Sequence, residues 1–250
     1  MNSISANLNI MIKASEKASK ALIRDFGEIE KLQVSVKGPS DYVSSADKKA
    51  EKIIIDELMK ARKKFSIISE ENGTRINSDQ DNVWIIDPID GTTNFLHGIP
   101  HFAISIALKS NNEIVSGLIY DPIKDEMFYA EKNNGAYLNN KSIRVSKRKS
   151  LEDCLFATGG KEKLNDILNE NLTIRKSGSA ALDMAYVASG RIDGYFQKNL
   201  NLWDVAAGIV ITKEAGAYIN EVDLNKKDKI KVVVSNNNIS EKLLKNLTNF

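Results

Sequence analysis

Cysteine is nearly absent: Cys154 is the only one in 250 residues, which excludes an internal disulfide framework and suits a reducing compartment. It sits in the apolar run Cys154-Leu155-Phe156-Ala157 and reads as a buried structural thiol, not a nucleophile. No apolar run approaches the roughly eighteen residues that span a bilayer, and the amphipathic N-terminus has no continuous signal-type core. The expected address is the cytoplasm, with no membrane partner. Excess charge is missing too: 35 Lys plus Arg against 33 Asp plus Glu leave +2, which argues against polymeric nucleic acid as main partner. The one basic run, Arg144, Lys147, Arg148 and Lys149, has no interleaved aromatics for stacking and reads as a solvated connection between halves. His97 and His101 flank Gly98-Ile99-Pro100, so their spacing defines no helical face, and packing or surface roles fit both. Repeats and low-complexity tracts are also missing.

What is present is an ordinary globular composition, 42% hydrophobic and 27% charged, enough for a sizeable core in one large domain or two modest ones. The stretch Val83-Trp84-Ile85-Ile86-Asp87-Pro88-Ile89-Asp90-Gly91-Thr92-Thr93-Asn94 begins as a buried strand and switches to two carboxylates around a proline. Asp87 is expected to leave the strand at its carboxyl end. Asp87 and Asp90 can converge on one hard cation, while the amides of Gly91 to Thr93 face an anion if a helix starts there. The same pattern also makes a plain surface turn, and the stretch alone does not choose.

Apolar residues at three- and four-residue steps from Ile4 to Ile29 predict a long amphipathic helix. After Gly38-Pro39-Ser40 a second helix is expected over Lys48 to Lys64, with Asp47 at its start as cap or as catalytic acid. Phe65 to Ser69 reads as a strand that delivers Glu70 and Glu71 to its carboxyl end, the arrangement repeated at Asp87. Phe102 to Lys109, Ile114 to Tyr120 and Glu126 to Ala130 read as an antiparallel meander. Beyond the basic run the chain alternates: strands at Leu155 to Thr158 and Leu172 to Arg175 with a helix near Lys161 to Asn169 between them, then a helix capped by Ser179 and stopped at Gly190. Asp193 to Gln197 follows as a strand, and a helix from Leu202 to Ala215 carries Asp204 at its N-terminus, where capping is the simplest role. Strands at Ala217 to Asn220 and Lys229 to Ser235 and a helix from Ser240 to Asn249 close the chain.

Glu70-Glu71, the run Trp84 to Asn94 and Leu202-Trp203-Asp204-Val205-Ala206-Ala207-Gly208, with Asp47 and Gly178-Ser179-Ala180 in support, closely resemble the inositol monophosphatase family in order and spacing. The resemblance implies an α/β (α+β) fold, a layered αβαβα sandwich. Residues 1–145 would form an N-terminal antiparallel-sheet half carrying most metal ligands, and residues 146–250 a smaller mixed α/β half carrying Asp204 and the substrate side. It implies Mg²⁺, two to three ions per site, on Glu70, Asp87, Asp90, Asp204 and the carbonyl of Ile89. Gly91, Thr92 and Thr93, with Asp90, would hold phosphate, and Asp47 with Thr92 would orient and deprotonate the attacking water, assisted by Glu70. Gly178, Ser179, Ala180 and Gln197, with Asp204, would face the alcohol. An oxygen-only ligand set suits Mg²⁺, which can activate water and stabilise the leaving alkoxide in an in-line displacement.

The implied activity is hydrolysis of inositol monophosphate or a similar small polyol or sugar phosphate by direct attack of a metal-activated water. Relatives also act on fructose 1,6-bisphosphate, histidinol phosphate or 3′-phosphoadenosine 5′-phosphate, and some bacterial relatives bind the transcription or ribosome machinery. A homodimer and lithium sensitivity are further implications. A covalent aspartyl-phosphate route is disfavoured, because haloacid-dehalogenase-like enzymes place two acids two residues apart, whereas Asp87 and Asp90 are three apart. Two departures stand out. Gln197 occupies the place of an acidic residue that contacts inositol hydroxyls in many members, and Phe156-Ala157-Thr158-Gly159-Gly160 lacks the Gly-Phe-Pro common after this strand. An amide lacks the charge that strengthens bonds to hydroxyls, so these residues leave the alcohol open.

Overall fold

A computed structural model describes residues 4–29, 34–38, 41–160, 168 and 172–247. The chain opens with helix α1 (Ala6–Phe26), capped by the Ser5 hydroxyl, which accepts from the Leu8 amide. Leu8, Met11, Ala14, Ala18 and Leu22 form its buried stripe, whereas Ile4 lies before the helix and is exposed. A short hairpin not assigned from the sequence follows, β1 (Val34–Gly38) and β2 (Asp41–Ser44). It feeds α2 (Ser45–Ala61) directly, so this helix starts before Lys48 and ends before Lys64, with Asp47 inside its first turn.

Next come β3 (Phe65–Ser69), β4 (Gly73–Arg75), β5 (Asp79–Asp90), the short α3 (Thr92–Leu96), then β6 (Ala103–Ser110), β7 (Glu113–Asp121), β8 (Glu126–Glu131), β9 (Ala136–Leu138) and β10 (Lys141–Ser142). They build an eight-stranded sheet in the order β10-β9-β8-β7-β6-β5-β3-β4. Its pairings are antiparallel except β3 with β5. After residues 143–150, which hold no helix or strand, β11 (Leu155–Ala157), β12 (Thr173–Arg175), α4 (Ala180–Ala188), β13 (Gly194–Leu200), α5 (Leu202–Glu214), β14 (Ala217–Ile219), β15 (Ile230–Asn236) and α6 (Ser240–Asn246) complete the fold. The second sheet is mixed, β12-β11-β13-β15-β14. The helix expected near Lys161 to Asn169 lies almost wholly outside the described residues.

These elements stack as αβαβα: α1 with α2, the large sheet, α4 with α5, the smaller sheet, and α6 against β15. The middle helices read as apolar on every side because they are buried on every side; in α4 and α5 even Ala, Gly and Thr positions are inaccessible. One hydrophobic cluster joins Ile85 and Ile119 of the large sheet to Leu182, Val205 and Val234. Another packs α1 and α2 on Trp84, Ile86 and Ile106. The basic run is not wholly solvated: Arg148 pairs at 3.0 Å with Asp193, whose side chain is fully buried, because a charge inside the fold needs a partner. His101 packs edge-on against Tyr186, the packing role expected for it.

Candidate active site

Asp87 does not end its strand. β5 runs on through Pro88 to Asp90, and the register against β6 slips there, from Asp87 opposite Ser105 to Asp90 opposite Ala103. Three residues on one strand therefore face two on the other, a bulge seated at the proline that has no amide to give the ladder. The bulge matters because residues three apart on a regular strand point to opposite faces; the extra residue returns Asp90 to the side of Asp87. The amide of Ile89 donates to Asp87 Oδ1 at 3.0 Å and fixes the first carboxylate. Gly91 then takes φ +98° with the backbone oxygens of His101 and Gly178 about it, so a β-carbon would meet them at 3.1 and 3.3 Å. Only glycine suits both the dihedral and the space.

The third carboxylate arrives from the other half. Asp204 lies in the first turn of α5, and its Oδ2 accepts from the Asn201 amide at 2.8 Å in a capping box. Capping and clustering coexist, since a carboxylate has about four acceptor sites. Asp87, Asp90 and Asp204 each bring an oxygen to within 4.8 Å of one another. At such a separation two unit charges repel by about 3.5 kcal/mol even at an effective dielectric of about 20, a cost that a bound cation would offset. Burial, then the charges of Glu70, Asp90, Asp204 and Asp47, push the Asp87 carboxyl well above the usual range. Burial also raises Asp90 to about 6, opposed by hydrogen bonds from Ser179, Ala181 and Ala180. Ser179 Oγ and the Ala181 amide (2.8 Å) donate to Asp90 Oδ2, so the start of α4 grips the end of β5 across the two halves. Asn94 makes a second tie, donating to the carbonyls of His101 and Ser177, both at 2.8 Å.

These carboxylates line a cleft of about 350 Å³. Of the residues singled out in the sequence, Glu70, Asp87, Ile89, Asp90, Gly91, Thr92 and Thr93 line one wall. Gly178, Ser179, Ala180, Gln197 and Asp204 line the other. Glu70 faces the cleft but stands outside the tight three-acid group among the described residues. Asp47 sits behind the wall, buried, with Oδ1 3.5 Å from the Thr92 hydroxyl, which donates to the Ile89 carbonyl at 2.9 Å.

The two departures at Gln197 and Gly159 are one feature. Gln197 Oε1 accepts from the Tyr195 hydroxyl at 2.8 Å and lies where a β-carbon on residue 159 would be, 2.0 Å away. The amide is thus folded against a glycine that makes room for it. Sequence reasoning passed over Asp183, which lines the same cleft, is 2% exposed, and has a buried Oδ1 with no hydrogen-bond partner among the described residues. Burial drives its carboxyl up to about 8. The available signal was an acid inside the apolar helix Ala-Ala-Leu-Asp-Met-Ala.

Fold and cleft define a layered α/β protein in which β5 and α5 bring carboxylate oxygens together at one acidic centre. The chain belongs to the inositol monophosphatase family, whose model matches residues 5–249. It is 49% identical over 230 residues to an inositol-1-monophosphatase of Rhizobium meliloti (strain 1021), covering 88% of this chain and 86% of that protein. It is 39% identical over 225 residues to Nus factor SuhB of Escherichia coli (strain K12), covering 86% and 84%. The crystal structure of extragenic suppressor protein suhB from Bartonella henselae superposes with a TM-score of 0.90 at 48% identity, over 96% of this chain and 98% of that one.

Proposed function

We propose that this chain is a Mg²⁺-dependent phosphomonoesterase acting on inositol monophosphate or a similar small polyol or sugar phosphate. The observation that carries the reading is the convergence of Asp87, Asp90 and Asp204 within 4.8 Å in a cleft, with the Asp87 carboxyl raised by burial and neighbouring charges and the Asp90 carboxyl raised by burial. The donor set is all oxygen, which fits Mg²⁺. Glu70, Asp87, Asp90, Asp204 and the Ile89 carbonyl would hold two to three ions. Bound there, the ions would neutralise carboxylates and ester phosphate, lower the pKa of water and stabilise the leaving alkoxide.

The protein's own part is orientation and proton handling. Gly91, Thr92 and Thr93, beside Asp90, hold the phosphate. Asp47 and Thr92, linked across 3.5 Å, align the attacking water; as the Thr92 hydroxyl takes the water's proton it passes its own to the Asp47 carboxylate, with Glu70 beside them. Gly178, Ser179, Ala180 and Gln197, next to Asp204, face the alcohol. The folded-back Gln197 offers no negative charge to a hydroxyl, which keeps fructose 1,6-bisphosphate, histidinol phosphate and 3′-phosphoadenosine 5′-phosphate in the panel of substrates. A cytoplasmic homodimer, with a small phosphorylated metabolite as its partner, belongs to the same reading.

Phosphate release from that panel with and without Mg²⁺ is the test. Release from at least one ester, abolished by chelation, is expected; no release from any ester sinks the enzymatic reading. The similarity to a protein named Nus factor SuhB favours one second reading, attachment to the transcription or ribosome machinery. A pull-down with Asp87→Asn separates the two, because a docking role survives loss of a cleft carboxylate whereas turnover does not.

A further inference from the structure

Glu51 belongs to neither wall of the cleft, yet it is 0% exposed on α2 and has no cation beside it among the described residues. Its carboxylate is occupied by donors from a single turn. Oε1 accepts from Ser69 Oγ at 3.0 Å, from the Asn72 amide at 3.0 Å and from the Asn72 side-chain amide, while Oε2 accepts from the Glu71 amide at 2.9 Å. Those donors bracket Glu70 on both sides. On the far side of the turn, Glu71, Asn72 and Gly73 border a separate cavity of about 540 Å³, and nothing lies within 4 Å of where a Gly73 β-carbon would be. The sheet holds the backbone on either side, through the Glu70 amide on the Ile86 carbonyl at 3.2 Å and the pairing of Ser69 with Gly73, and Glu51 ties the amides of Glu71 and Asn72 to α2.

We propose that Glu51 is a positioning residue for Glu70: it hangs the 69–72 turn from α2 and so presents the Glu70 carboxylate to the cation site. The proposal rests on Glu70 being a metal ligand. Four donors and no donor of its own make a carboxylate the fitting side chain, because glutamine would accept at one oxygen and turn an NH₂ toward the Glu71 amide. Asp47 precedes Glu51 by four residues on the same helix, so both project from one face. Helix α2 thereby serves the cleft at two points, with Asp47 behind Thr92 and Glu70 through Glu51. Groups that orient metal ligands typically change metal affinity by about 10- to 100-fold when removed.

The test is Mg²⁺ titration by calorimetry, without substrate, of wild type, Glu51→Gln and the control Leu58→Ala, which deletes buried side chain from the same helix. The expected result is that Glu51→Gln weakens Mg²⁺ binding by about 10-fold or more. Its kcat at saturating Mg²⁺ should stay near wild type, so the loss appears in the half-saturating Mg²⁺ concentration. Leu58→Ala should lower Tm and leave the affinity alone. Wild-type affinity in Glu51→Gln overturns the proposal, as does an equal loss in Leu58→Ala. If Glu51→Gln does not fold, Ser69→Ala removes one of the four donors, and an unchanged Mg²⁺ affinity in that variant overturns it too. A wild-type protein that takes up no Mg²⁺ removes instead the reading of Glu70 as a ligand.

Discussion

Asp183 is the residue whose chemistry the fold disturbs without an assigned task. Its carboxyl is raised by burial to about 8, so the folded chain holds a proton that the unfolded chain releases near pH 4. With the folded value above the unfolded one, the contribution to stability is complete below about pH 4 and declines as pH rises toward 8. Asp183→Asn removes the charge at nearly constant shape. Metal-free Asp183→Asn should therefore melt higher than wild type at pH 9 and by much less at pH 5, with each kcal/mol of relief worth about 2–4 °C. Equal melting shifts at the two pH values would refute a buried, proton-holding Asp183. Asp87 and Asp90 were legible as two carboxylates able to converge at a strand end, whereas Asp204 read by position as a cap and was pointed to the cleft only by the resemblance of Leu202 to Gly208. Glu51 was not legible, because an acid within an amphipathic helix reads as solvent-facing until a turn folds onto it.

At the scale of elements, α5 is held against the large sheet by the absence of a side chain. A β-carbon on Gly117 of β7 would come within 2.6 Å of the Ala207 carbonyl and of Val210 Cγ1. The Ala207 contact is backbone, so relief requires the helix itself to move. Gly117→Ala should destabilise the protein by about 1–3 kcal/mol, read from denaturant unfolding, and should lower activity by shifting Asp204; unchanged stability and activity would contradict this packing. Helices and strands were mostly visible from periodicity and caps: α1, the β6 to β8 meander and the α4 stop near Gly190 all follow such signals. The β5 bulge was not, since a proline between two acids reads equally as a turn. Which it becomes is decided by pairing with β6, a partner thirteen to twenty-eight residues away whose register no local pattern states. The β1–β2 hairpin escaped because its strands are short: Val34-Ser35-Val36-Lys37 alternates over only four residues before Gly38, too few to mark a strand by pattern alone.

For the whole molecule, the stack places its acidic centre between a sheet end and a helix start, and holds the halves together through Asp90 with Ser179 and Asn94 with Ser177. Mutual repulsion among the carboxylates opposes this closure, so a bound cation should stabilise the entire fold, by RT ln(1 + [L]/Kd). Wild type should melt higher in millimolar Mg²⁺ than in chelator, and Asp87→Asn should lose most of that difference; an equal response in both would place the metal elsewhere. The closest test of the central claim is the rate of Mg²⁺-dependent phosphate release by Asp204→Asn beside wild type. Asparagine keeps the helix cap and removes only the charge that α5 brings to Asp87 and Asp90. The expected result is a protein that still unfolds cooperatively and has turnover lowered by orders of magnitude, whereas undiminished turnover would make Asp204 a cap alone and contradict a site assembled from β5 and α5.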